Sequence, residues 1–182
     1  MSLRLLLLDH CLPGPIRRRM LRELIQVTAD AFSAPRPPFP AGGNDAAISA
    51  FARFTRELVD GAGDAAVDAA AVQDRLYRGA REMGRMFRRI AAIRSPEDAA
   101  RALRLLYRAI GIEVEVDLAL GELTVRRCAF SNAYTPAVCR FISALDAGMV
   151  DGLTGGTTVV FTERITEGAA RCRAAMVRGT TP

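Results

Sequence analysis

At Gly111 the hydrophobic period of this chain changes, and that change constrains the fold more than any other feature. Upstream, apolar residues recur every three or four positions. Immediately downstream, Ile112-Glu-Val-Glu-Val-Asp-Leu alternates strictly. The first period belongs to helices that bury one stripe, the second to a strand that buries one face. A chain that uses the two periods in separate blocks builds an α+β domain rather than a repeating α/β one.

The helical block divides into four. Ile16 to Phe32 carries a stripe of Ile16, Met20, Leu21, Leu24, Ile25 and Phe32, with Pro13 and Pro15 before it. Ala-Pro-Arg-Pro-Pro-Phe-Pro stops it. Asn44 caps a second helix through Ile48, Phe51, Phe54 and Leu58, which Gly61 and Gly63 end. A third runs from about Ala70 to Ile93. A fourth starts at Ser95 as N-cap with Pro96 in the first turn, followed by Glu97 and Asp98, and stops at Gly111. After the Ile112 strand, Leu120-Gly121-Glu122 turns the chain into a second strand from Leu123 to Phe130. Pro136 opens a helix that Gly148 interrupts, with Met149 to Leu153 as a short continuation. Thr157 to Ile165 and Cys172 to Val177 form the last two strands around Glu167-Gly168. The expected architecture is α+β: N-terminal helices followed by an antiparallel sheet of two β-hairpins with an intervening helix. Residues 1–68 read as a helical extension with a proline-rich loop, and 69–182 as the α+β domain.

Half of the 182 residues are hydrophobic, enough for a sizeable core, and no apolar run reaches the length of a membrane span. The opening Leu-Arg-Leu-Leu-Leu-Leu-Asp is too short for a signal peptide, so the expected location is cytoplasmic, where thiols stay reduced. The net charge is +5, and every basic side chain is Arg. His10 is the only histidine, which disfavours a Ser/His/Asp triad or a multi-histidine metal site. Trp is absent and aromatics are few, so a stacking surface for nucleic acid is not expected.

Chemistry is most readable in the thiols. Cys128 ends the second strand, Cys139 lies one turn into the following helix, and Cys172 begins the last strand. Zinc takes three or four such ligands, and an iron–sulfur cluster is also held by thiolates. Free cysteine is equally a small core hydrophobe, and no Cys-x-x-Cys motif decides between these readings. Glu163, Glu167 and Asp146 are the acidic groups nearest the thiols. Arg140 and Arg173, each next to a cysteine, are candidates for holding a ligand carboxylate. Ser131 and Asn132, just after Cys128, are candidate hydrogen-bonding groups. Arg78, Arg81, Arg85, Arg88 and Arg89 on one helix, and Arg101, Arg104 and Arg108 on the next, read first as solvated faces. Cys11 is assigned no role, and no catalytic residue is assigned.

From about Tyr77 to Met176 the chain resembles the superfamily that joins the 4-vinyl reductase domain and the L-2-amino-thiazoline-4-carboxylic acid hydrolase-like proteins. The resemblance rests on Cys128, on Pro136 to Cys139, on Asp146 with Gly148, and on the ending Phe161-Thr-Glu163-x-x-x-x-Gly168-x-x-x-Cys172. It implies an α+β domain that binds a small molecule, in some members beside a cysteine-bound metal. Glu163 and Cys172 match the implied ligand positions of the metal-binding members, and Cys128 or Cys139 would have to supply the ligand missing here. Thr166 stands where zinc-binding members carry a further cysteine.

Three functions are expected. The first is a small-molecule-binding domain of sensor or carrier type, with zinc, an iron–sulfur cluster or no cofactor at all. The second is a hydrolase of the amino-thiazoline-carboxylate type, working through a thiolate or a metal-activated water. The third is an interaction protein that dimerises through its first two helices. A homodimer is the expected assembly in any case. A catalytic or metal site requires the three thiols to meet at a cavity, whereas the interaction protein requires an exposed apolar stripe.

Overall fold

The structure, a computed structural model, describes residues 14–64 and 68–178. His10 and Cys11, and the opening leucine run, lie outside the described residues. Four helices come first: α1 (Gly14–Phe32), α2 (Asn44–Asp64), α3 (Ala69–Ile90) and α4 (Pro96–Ala109). They are followed by β1 (Ile112–Asp117), β2 (Glu122–Cys128), α5 (Pro136–Thr154), β3 (Thr157–Glu163), a 3₁₀ turn at Ile165–Glu167, and β4 (Cys172–Arg178). This is the expected α+β order. The sheet is antiparallel throughout in the order β1-β2-β4-β3, so the two hairpins join through β2 and β4, with Val125 opposite Cys172 and Leu123 opposite Ala174.

Local chemistry sets the helix starts. The Ser95 side chain accepts from the Asp98 N–H ahead of Pro96, Asp68 accepts from Ala71, and Thr135 accepts from Val138 ahead of Pro136. Each side-chain oxygen satisfies an N–H that has no partner within its helix. Gly155 closes α5 at φ 82°, in the left-handed region.

One expectation is corrected here. Gly148 does not interrupt α5, which runs unbroken over 19 residues. A Cβ on Gly148 would lie 2.1 Å from the Tyr77 carbonyl oxygen, and one on Gly152 would lie 2.0 Å from that of Arg81. On the facing helix, a Cβ on Gly84 would lie 2.5 Å from the Met149 oxygen. These glycines let the α3 and α5 backbones touch, a use of glycine that outweighs its helix propensity. The same crossing is tied by a buried acid. The Tyr77 hydroxyl donates to Asp151 Oδ2, and Arg81 Nε lies 2.8 Å from that oxygen.

The stripes of α1 and α2 are spent on the core. Met20, Leu21, Leu24, Ile25, Ile48 and Phe51 are buried and belong to one continuous apolar cluster with Leu76, Leu103, Leu123, Leu153 and Ala174. Much of the arginine face of α3 is engaged as well. Arg75 donates to the Ala31 carbonyl, Arg88 donates to that of Leu153, and Arg78 and Arg85 pair with Asp74 and Glu82. Among the described residues, no helix is long and apolar enough to cross a membrane.

Candidate functional site: an apolar cavity with a carboxylate in its wall

Where the helices meet the end of β2, they line a half-open cavity of about 110 Å³. Helix α5 supplies one wall through Cys139, Ile142, Asp146 and Met149, spaced by three and four residues and therefore on one face. α1 adds Met20 and Leu24, α2 adds Phe51, and α4 adds Leu106 and Tyr107. The last wall comes from the turn after β2. There Ser131 returns both its N–H and its hydroxyl to the Cys128 carbonyl, and Tyr134 N–H bonds to the Phe130 carbonyl. That turn stacks Phe130 on Tyr134, with ring centroids 5.4 Å apart, and sets Phe51 edge-on to Phe130 at 6.0 Å. The Tyr134 hydroxyl shares a hydrogen bond with the buried Thr55 hydroxyl.

Polar groups in this wall are few, and their protonation follows from burial. Asp146 is half-buried, and its Oδ1 accepts from the Tyr107 hydroxyl at 2.8 Å. Burial raises its carboxyl to about 6, against the opposing effects of the Tyr107 bond and of Arg164. Burial also pushes the Cys128 thiol up to about 12 and raises that of Cys172. The Tyr107 and Tyr134 hydroxyls are raised by the same cause. At neutral pH the Cys128 thiol and the two phenols in this wall are therefore neutral, around one largely ionised carboxylate.

The three cysteines are free and come to the same region. Cys128 and Cys139 line the cavity, and Cys172 lies within electrostatic range of both. Their surroundings oppose a cation. The Arg164 guanidinium, only 12% exposed, lies 3.7 Å from Cys139 Sγ, donates to Ser143 Oγ at 2.7 Å and stacks over the Phe161 ring. Cys172 Sγ accepts the Ile165 N–H at 3.3 Å. Glu163 is on the opposite sheet face from Cys172. It pairs across the strands with Arg173, whose Nε is 3.5 Å from its carboxylate. Among the described residues, no three Cys, His, Asp or Glu side chains are grouped so as to hold a metal ion. With Glu163 turned outward, Thr166 at the remaining position and a guanidinium beside Cys139, the residues as arranged do not fit a zinc ion.

The other candidates sit elsewhere. Arg140 is exposed and pairs with Glu167, while Arg173 lies between Glu122 and Glu163 on the outer face of the sheet. Ser131 serves the turn, and Asn132 is exposed. The groups that do reach or flank the cavity are Asp146, Tyr107, Tyr134 and Arg164. Of these, only Asp146 stands out by its position in the sequence. Tyr107 reads in sequence as one more member of a buried stripe, and Arg164 carries no local signal.

Fold and site together define an α+β domain built around a half-open, mostly apolar cavity. Its fold is similar to that of a vinyl-4-reductase family protein from Methanocaldococcus jannaschii seen in a crystal structure. That similarity covers 88% of this chain and 92% of the other, with 13% identity and a TM-score of 0.46. No protein-family model matches the sequence, and no curated protein matches it.

Proposed function

We propose that this chain is a small-molecule-binding domain whose ligand occupies the central cavity. The observation that carries this reading is the cavity itself, about 110 Å³ between helices, sheet and turn in an otherwise continuous core. Well-packed interiors hold few voids larger than a water molecule, and each costs stability. Apolar cavities of about 150 Å³ stay dry and take up benzene-sized guests. A cavity here therefore favours a ligand that fills it, in a sensor or carrier. A thiolate hydrolase is less well supported, because burial holds Cys128 and Cys172 in the thiol form. The dimerisation reading loses its exposed stripe to the core.

The test is thermal unfolding with and without cyclopentane, on wild type and on Ile142→Phe, which places a ring in the cavity. The wild-type midpoint should rise with cyclopentane by mass action, and that of the variant should not. Equal responses, or no response in a folded wild type, would overturn the reading.

A further inference from the structure

If the cavity is a ligand site, as proposed, its wall also constrains the chemistry of the ligand. Asp146 is the one acid in the wall, and it projects from the same face of α5 as Cys139, Ile142 and Met149. Among the described residues, only Tyr107 donates a hydrogen bond to it, at Oδ1. No described residue donates to the second oxygen, and Asp146 lines the cavity. The groups around it are Tyr107 from α4, Cys128 from β2, Tyr134 from the turn, Cys139 from α5 itself, Cys172 from β4 and Arg164 after β3. Arg164 is the only cation in this set. Its guanidinium is engaged with Ser143 and with the Phe161 ring, so it acts on the carboxylate at a distance.

A carboxylate in an apolar wall is costly unless a donor meets it, and a charged donor compensates it best. A ligand acid would instead bring like charges together in a medium of low dielectric. The remaining walls call for an apolar body, and a volume of this size suits a small ring. We infer that the ligand class is a small apolar amine, with its hydrocarbon body against Met20, Leu24, Phe51 and Met149 and its ammonium donating to Asp146.

The test compares four probes of one shape at pH 7.5 by calorimetry: cyclopentylamine, cyclopentanol, cyclopentane and cyclopentanecarboxylate. Cyclopentylamine should bind about tenfold or more tighter than cyclopentane, and cyclopentanecarboxylate should not bind. In Asp146→Asn, which keeps an acceptor for Tyr107, the amine should lose that advantage while cyclopentane still binds. Tyr107→Phe, with its carboxylate intact, should keep the preference for the amine. Cyclopentane or cyclopentanol binding as well as the amine in wild type would overturn the inference and leave the cavity reading standing. If none of the four binds, both fall.

Discussion

The α3–α5 crossing allows a quantitative test by a single methyl group. In Gly152→Ala the new Cβ would meet the Arg81 carbonyl oxygen at 2.0 Å and the Arg85 nitrogen at 2.9 Å. Both are helix backbone atoms, so no side chain can rotate away. Restoring ordinary van der Waals distance requires the two helices to part by more than about 1 Å, which also loosens the packing on either side of the contact. Overpacking of this kind costs about 1–3 kcal/mol and sometimes more. Against it stands the gain of about 1 kcal/mol for alanine over glycine within a helix. Because the obstruction is backbone, the upper end applies, and a net loss of about 2 kcal/mol or more is expected. Gly61→Ala in α2 is the matched control, since its Cβ would meet nothing within 4 Å. It should stabilise by up to about 1 kcal/mol, through propensity alone. Urea unfolding of the three proteins measures both. A Gly152→Ala variant as stable as Gly61→Ala would refute the argument that backbone contact at the crossing selects glycine.

Protonation gives two further outcomes. The Asp146 carboxyl is raised in the folded protein to about 6. The folded state therefore holds the proton more tightly than the unfolded one, and this contribution to stability is lost as pH rises from about 4 through 6. Asp146→Asn should match wild type near pH 4 and exceed it by roughly 1–3 kcal/mol at pH 7.5. Parallel stability–pH curves for the two proteins would show that the carboxyl is not shifted. The raised Cys128 and Cys172 thiols should react with a disulfide reagent at pH 7.5 far more slowly in native protein than in urea, because the thiolate is the attacking species. Rapid native labelling of Cys128 would contradict its burial.

Local order determined much of the fold from the residues alone. The stripe from Met20 to Ile25, the Ser95-Pro96 start, the alternation after Gly111 and the turn at Gly121 each state a preference that short-range sterics and hydrogen bonding enforce. These were enough for the element order and the fold class. Four things were decided only in three dimensions. Gly148 reads locally as a helix breaker, and only the approach of Tyr77 from a distant helix turns it into a packing contact. Glu163 and Arg173 face solvent because strand pairing sets them side by side on the outer sheet face, a matter of register between segments. Arg164 lies beside Cys139 through a path that crosses from one element to another. Asp146 acquires its character from burial and from Tyr107, 39 residues away in the chain. Periodicity carries information about which side of an element is buried. Which groups then face one another, and in what dielectric, depends on contacts between segments that no local pattern encodes.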